Sequence, residues 1–426
     1  MTYRNMLRLP VIPALITVTA VLAATACSSS SSGSSSPSSA PAASTGAAST
    51  AGAASASPAA AAGGAYTVGA VTSLTGPLAF IGTALADGAK DYFNYVDAHG
   101  GVNGHKVNFI TTDDGGAVTQ AVTDVHQLVQ QDQVSAITGW ILTNIESAVE
   151  PYALRESVPL VTQGCDPTIA TAANKVVYCV GLPETLEDKP LVDFAATKAG
   201  SATPKVAVLD MDSEAQIALQ GEIVADAKAK NWPVVLKQIV ALTATDMTTQ
   251  ANAVVQSGAT MVICSLDSER EQLFDQALRS AGSKIPVINF DAGEAFSTLQ
   301  KLADPNLYVY SPFAYPTDSA PGVAIYDAQT KAANQQAGTP FLVNGWVEAQ
   351  AVAAGLAKCG YPCPGSKLTT VMSGLGQINT EGMTTGPFKY SSSFYLGLSG
   401  GEFYTWDPAG SKLAPVSGFM PIAAAS

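Results

Sequence analysis

Tyr66-Thr67-Val68-Gly69-Ala70-Val71 is a short β-rich run. Leu78 to Ala98 behind it has helical texture. His99-Gly100-Gly101-Val102-Asn103-Gly104-His105 interrupts the helix, and Lys106-Val107-Asn108-Phe109-Ile110-Thr111 is β-rich again. Gly100, Gly101 and Gly104 permit the positive-φ turns that bring a long helix back into an adjacent strand. The same texture continues on both sides of about Gly181. Before it come a helix at Thr119 to Gln130, a strand at Val134 to Thr138, a helix at Glu146 to Glu156 and a strand at Pro159-Leu160-Val161. After it, strands at Val206 to Leu209, Val234 to Ile239, Met261 to Ser265 and Val287 to Phe290 alternate with helices at Ala215 to Lys230, Met247 to Gln256, Glu269 to Ala281 and Glu294 to Lys301. Strands alternating with helices of this length imply parallel sheets covered on both faces. Two such runs are too many strands for one sheet, so the expected fold class is α/β, with two doubly wound lobes. Ligands of such sheets bind where strands end and helices begin, because the loops there expose backbone N–H groups and helix N-termini.

Upstream of Tyr66 the chemistry is different. The chain has 426 residues, 13% of them charged, about half the usual quarter. Much of the deficit lies between Leu9 and Ala86, which contains no Asp, Glu, Lys or Arg. Arg4 and Arg8, the apolar run from Leu9 and the small residues before Cys27 describe a secretory signal over 1–26. As a membrane anchor the apolar segment, about 18 residues with two prolines, would be the shortest that spans. Small residues followed by Cys27 and a serine run resemble a bacterial lipobox, whose thiol is lipidated. The usual Leu three residues before the Cys is Ala24 here, so a cleaved, unlipidated form is the alternative. Residues 28–64 are Ser, Ala, Gly, Pro and Thr only, with nothing to repay the entropy of ordering. With Cys27 they form the expected anchor and tether, 27–64. A net charge of −13, from 21 basic and 34 acidic residues, argues against nucleic acid, because no basic field gathers phosphates.

Ser73-Leu74-Thr75-Gly76-Pro77, Gly82, Val96 to Val107 and the pair Asp113-Asp114 resemble the branched-chain amino-acid (Leu/Ile/Val-binding) family of periplasmic-type solute-binding proteins. Val158-Pro159-Leu160-Val161, Ala207-Val208-Leu209-Asp210, Ala281-Gly282 and Gly386-Pro387-Phe388 fall in the order of its later blocks. The resemblance runs from about Tyr66 to the C-terminus; its Gly-Gly-Val-Asn-Gly block is the most specific piece. It implies a type I periplasmic-binding fold whose lobes are joined by three chain crossings. Placed near Gly181, Pro312 and Gly386, these give lobe 1 as 66–181 plus 316–385 and lobe 2 as 182–315 plus 386–426.

Residue by residue, the resemblance implies a site. Thr75 belongs to the first matching loop, and Ile81 replaces an aromatic position, with Phe80 beside it. Thr143 matches a family serine that binds the amino-acid carboxylate. Gly164 lies in the next loop, which matches a segment supplying a backbone carbonyl, and Asp166 stands where the family has a threonine hydroxyl. An anion there repels a ligand carboxylate; alternatively Asp166 caps a helix beginning near Thr168. Glu214 and the pair Leu266-Asp267 occupy loops that carry covering tyrosines in relatives. Asp291 matches the acid for the ligand ammonium, with an N-cap or Asx turn as its alternative. Trp140 or Phe80 offers a surface to an apolar or planar group. Asp166, Glu214 and Asp291 together suggest hydroxyl-, amide- or amine-bearing solutes.

Five cysteines remain after Cys27, and an exported setting permits disulfides. Cys359 with Cys363, and Cys165 with Cys179, are the expected pairs; Cys264, inside an apolar strand, reads as a buried hydrophobe. Gly397-Leu398-Ser399-Gly400-Gly401 matches the nucleophile-elbow formula, but no histidine follows it, and a hairpin turn between Phe394-Tyr395-Leu396 and Glu402-Phe403-Tyr404-Thr405-Trp406 is expected. Asp210-Met211-Asp212-Ser213-Glu214 lacks the Gly of a calcium loop. His99, His105 and His126 have no metal spacing and read as surface histidines. The expectation is a non-enzymatic protein with no cofactor or metal, lipid-anchored outside the cytoplasm. It acts as a monomer that hands a small solute to an ABC permease and its ATPase subunits. The alternative is a sensor of the same fold regulating a membrane receptor or operon.

Overall fold

The computed structural model describes residues 63–139, 142–290, 295–339 and 341–422. Cys27, the signal and tether segments, Trp140 and Asp291 lie outside the described residues. In chain order the first half contains β1 (Ala65–Thr72), α1 (Ala79–Ala98), β2 (Lys106–Asp113), α2 (Val118–Gln130), β3 (Ala136–Thr138), α3 (Thr143–Glu156), β4 (Leu160–Thr162) and β5 (Val177–Cys179). These strands form an all-parallel sheet in the order β2-β1-β3-β4-β5. β1 is central and buried along most of its length, which is why it reads as an unbroken apolar run rather than an alternating one. Gly100, Gly101 and Gly104 all take positive φ, at 102°, 74° and 82°. Val102 and His105 close the turn with paired backbone hydrogen bonds, which delivers the chain from α1 into β2.

The chain then builds a second sheet. It runs through α4 (Asp188–Lys198), β6 (Val206–Met211), α5 (Glu214–Ala229), β7 (Val234–Val240), α6 (Thr248–Ser257), β8 (Met261–Ser265), α7 (Ser268–Ser280), β9 (Val287–Asn289), α8 (Phe296–Leu302) and β10 (Leu307–Ser311). It returns through α9 (Pro321–Ala332), α10 (Leu342–Cys359) and α11 (Gly365–Met372), of which α10 packs against α1 and under β3 and β4. β11 (Gly376–Gln377), β12 (Phe388–Ser391) and β13 (Phe394–Leu398) form a small antiparallel sheet, and β14 (Gly400–Asp407), β15 (Lys412–Pro415) and β16 (Met420–Pro421) end the described chain. The second sheet has the order β15-β14-β10-β9-β8-β6-β7, parallel from β7 to β10 and antiparallel beyond. Two doubly wound sheets in one α/β chain is the architecture that the strand–helix alternation implies.

Two details differ from the sequence reading. β5 is three residues long, too short to carry a periodicity, and is absent from the strands expected. The chain also stays on the first sheet beyond Gly386: β12 and β13 pair as a hairpin against β5, and the Tyr390 hydroxyl donates to the Cys179 carbonyl at 2.7 Å. Phe388, Tyr390, Tyr395 and Leu398 are buried there, so the hairpin finds its cover beside Tyr178. Consequently Gly397 to Gly401 is no hairpin turn. β13 and β14 lie in different sheets, and the segment is a crossing between them. A Cβ on Gly397 would overlap the Cys179 carbonyl, on Gly400 the Met420 carbonyl and on Gly401 the Ser311 carbonyl. The glycines admit backbone from both sheets at the crossing. A second crossing runs antiparallel beside it, where Thr385 N–H donates to Pro312 and Ala314 N–H to Met383.

Candidate functional site

The loops at the C-terminal ends of the first sheet are braced by acids. At the end of β2, the Asp113 carboxylate accepts from the Thr75 hydroxyl (2.7 Å) and from the N–H groups of Leu74 (2.8 Å), Thr75 (3.1 Å) and Gly115 (3.0 Å). The Thr75 hydroxyl, then the backbone donors, hold its pKa below the usual carboxylate value against some desolvation. Asp114 beside it accepts from the Ser73 hydroxyl and Gly116 N–H, each at 2.7 Å. The paired acids thus fix the loop after β1, and Thr75 spends its donors on Asp113. At the start of α1, Phe80 is 66% exposed and Ile81 half-buried.

Thr143 is the first residue of α3 and is exposed. Its N-cap residue Leu142 supplies no side-chain cap, the Asn144 Oδ1 accepts from Ile145 N–H at 3.0 Å, and the positive end of the helix dipole points toward the preceding loop. Beside it, Gly164 is half-buried, and its carbonyl accepts from the Thr162 hydroxyl at 2.6 Å. Asp166 takes its capping alternative in a modified form. Its Oδ1 accepts from Thr168 N–H (2.8 Å) and hydroxyl (2.6 Å), bracing a turn where no helix follows.

Two carboxyls that the sequence reading passed over lie beneath these loops. Glu146, in the first turn of α3, has no solvent exposure; its Oε1 accepts from the Thr162 hydroxyl (3.1 Å) and its Oε2 from Asp166 N–H (3.2 Å). Burial pushes its pKa up to about 8, and the charges of Asp166 and Glu150 push the same way. Glu348, on α10, is likewise without exposure. The N–H groups of Gly139 and Gln163 face it and pull its pKa part of the way back, yet burial holds it well above the carboxylate range. Neither oxygen closes a hydrogen bond of ordinary geometry. The available signal was a lone acid inside the apolar run Gly345-Trp346-Val347-Glu348-Ala349, with no basic residue one turn away.

In the second sheet the corresponding loops also lean on polar pairs. Asp210, at the end of β6, accepts from the Ser265 hydroxyl at 2.5 Å and from Gln220 Nε2 at 2.8 Å. Burial raises its pKa to about 6. It stands on a buried strand, not in an ion-binding loop. Glu214 is exposed at the start of α5, behind the capping residue Ser213. Leu266 differs from the exposed position expected of a covering residue. It is fully buried, and its backbone is held on both sides by the Asn289 side chain. Asp267 caps α7 through Arg270 N–H (2.9 Å) and pairs with the Arg270 guanidinium (3.0 Å), so its charge is already committed.

Disulfides join Cys165 to Cys179 and Cys359 to Cys363, with Cα separations of 5.2 and 5.9 Å, and Cys264 is a buried free thiol. The first bond ties the β4–β5 loop, which carries Asp166, to the end of β5. Of the histidines, His99 is exposed and His126 half-buried against Tyr152. His105 departs from the expected surface position: it is buried and stacked on Tyr361, because its turn packs under the Cys359–Cys363 loop. No group of three or more metal-ligating side chains occurs among the described residues. A cavity of about 650 Å³ opens at the other end of the first sheet, between Ala65–Thr67, Val134–Ser135 and Tyr361–Ser366. It shares none of the braced loops. Among the described residues, no helix is long and apolar enough to cross a membrane.

Comparison with known proteins places this geometry. The Leu/Ile/Val-binding protein homolog 3 of Brucella melitensis is 30% identical over 96 residues, a match spanning 22% of this chain and 26% of that relative. Solved structures match far more of the chain at lower identity. A branched chain amino acid ABC transporter protein from Thermus thermophilus with bound valine superposes with a TM-score of 0.74 at 13% identity, covering 84% of this chain and 97% of the other. A substrate binding protein from R. palustris in complex with benzoate gives 0.68 at 18%, covering 85% and 99%. These neighbours share the fold. The periplasmic binding protein profile matches residues 65–394, and the chain belongs to that family.

Proposed function

We propose that this protein captures a small organic solute outside the cytoplasm, between the loops of its two sheets, and delivers it to an ABC import permease. Cys27 anchors it by lipid to the outer face of the membrane, and it works as a monomer. The family itself implies an extracytoplasmic setting. The observation that carries the reading is the asymmetry of the two loop sets. The first sheet offers the N-terminus of α3 with Thr143, a seat for a carboxylate. Asp166 beside it is engaged by Thr168, so the expected repulsion is softened. The second sheet offers the exposed acid Glu214, and the family resemblance adds Asp291. A solute with a carboxylate at one end and an amine, amide or hydroxyl at the other matches this polarity, with branched-chain amino acids first among them. Relatives holding valine and benzoate support a carboxylate-bearing ligand. Contacts from both sheets exist only when the lobes close, so the ligand shifts the population toward the closed form.

A thermal-shift screen of the purified protein against branched-chain amino acids, amides, polyols and aromatic acids tests this. A ligand at about 100 times its Kd stabilises the native state by about 2.7 kcal/mol and raises the melting temperature by several degrees. A well-folded protein whose melting point none of these solutes moves would refute the reading.

A further inference from the structure

Right-handed crossovers put α2 and α3 on one face of the first sheet, while α1 and α10 pack together on the other. Each face therefore sends one buried carboxyl to the same edge, Glu146 from α3 and Glu348 from α10. Glu146 bridges its own helix, whose first residue is Thr143, to Thr162 and Asp166 of the following loop. Thr162 passes the link on to the Gly164 carbonyl. Glu348 faces Gly139 and Gln163, the residues from which the same two loops depart. We propose that Glu146 and Glu348 are positioning residues that hold the two ligand-facing loops of the first sheet in fixed relation from opposite sides. Neither touches the solute; each acts through loop backbone. This inference rests on the ligand site read above.

The physical case is that neither acid is an economical way to fill a core. A buried carboxyl with imperfect partners is usually no more stable than an apolar side chain of similar volume. Glu348 is the sharper instance, since neither oxygen closes a hydrogen bond. A residue that a leucine would replace without loss of stability, placed where two binding loops originate, fits positioning better than packing.

The test uses Glu146→Leu, Glu146→Gln, Glu348→Leu and Glu348→Gln in the full protein. Melting temperature, amide hydrogen exchange and affinity for L-isoleucine are measured for each. Glu348→Leu is expected to melt no lower than wild type, while exchange at Gly139 and Gln163, whose N–H groups lose the carboxyl they face, rises about tenfold. Glu146→Leu loosens 162–166 to the same degree. Glu146→Gln restores protection, because its amide oxygen accepts from Asp166 N–H and its NH₂ donates to the Thr162 hydroxyl. Isoleucine affinity falls about tenfold in both leucine variants and recovers in Glu146→Gln. Unchanged exchange in these loops, or exchange raised evenly through the whole sheet, overturns the proposal. If a leucine variant does not fold, the alanine variant at the same position, Glu146→Ala or Glu348→Ala, takes its place and is judged by the same local exchange, at 162–166 for the former and at 139 and 163 for the latter. If wild type takes no isoleucine, the ligand reading has failed, and the exchange pattern alone decides: protection lost in both loops supports the clasp, protection kept overturns it.

Discussion

Acids do opposite jobs in this protein according to how far they are from water. Asp113, at an exposed loop mouth, gathers four donors and stays ionised. Glu146, with no exposure, keeps its proton to about 8 because burial disfavours the charge more than two hydrogen bonds restore it. That difference fixes a pH dependence. The native state holds the Glu146 proton up to about 8, whereas the unfolded chain releases it near the ordinary glutamate value of 4.5. Between those values the native state binds more protons, so stability falls as pH rises through the window and levels off above it. Asp210, raised to about 6 by burial, adds to the lower part of the same slope. Glu146→Gln is expected to flatten the curve, removing at most about 1.4 kcal/mol per pH unit, and urea unfolding at pH 5, 6.5 and 8 will measure it. Parallel curves for wild type and variant would mean that Glu146 is ionised throughout. Nothing in the sequence marks Glu146 as neutral, since it reads as an ordinary first-turn acid; its state is set by burial, against which the donors of Thr162 and Asp166 pull only part of the way back.

At the scale of elements, the strand–helix alternation is readable mainly where an element exceeds about five residues, because only then does its periodicity show, although α4 and α9 are not placed by it. Met261–Ser265 lies where its apolar run places it. β5 does not, being three residues between a disulfide-tied loop and a crossing. Glycines separate in the same way. Gly221 sits exposed in the interior of α5 with open space around its Cα, so Gly221→Ala is expected to stabilise the protein by about 0.5–1 kcal/mol. Gly401 abuts the Ser311 carbonyl at the sheet crossing, and Gly401→Ala is expected to cost about 1–3 kcal/mol. Guanidinium titration of both variants compares them directly. Opposite shifts of the midpoint, the larger for Gly401→Ala and neither with a change of slope, are the expected result; a neutral Gly401→Ala would mean that the crossing is loosely packed.

For the whole molecule, the two disulfides brace only the first sheet and its neighbours. Cys165–Cys179 closes a loop with a sequence separation of 14, and Cys359–Cys363 one of 4. Chain-entropy reasoning gives about 3 kcal/mol for the former and about 2 for the latter. Replacing Cys165 and Cys179 by serine should therefore lower the melting temperature more than replacing Cys359 and Cys363. The larger effect should also be felt in ligand affinity, because the first bridge holds the loop carrying Asp166. A larger loss from the 359–363 pair would show that the small loop beside Tyr361 and His105 matters more than its length suggests.

The sequence by itself determined the α/β class, the two wound sheets and the family resemblance. Each is a local matter, written in apolar periodicity, in composition or in short glycine-containing blocks that hold whatever the rest of the chain does. It left open which acids are spent and which are available, because that depends on donors arriving from distant elements. Asp166 is engaged by Thr168, Asp267 by Arg270, and Leu266 is buried behind Asn289. The placement of residues 388–398 on the first sheet was likewise decided only in the tertiary structure, since a hairpin's own pattern cannot say which of two sheets it will cover. Glu348 shows the division most plainly. In one dimension it is a single acid in an apolar helix; in three it lies beneath two binding loops, in a core where its charge has no cheap place to go.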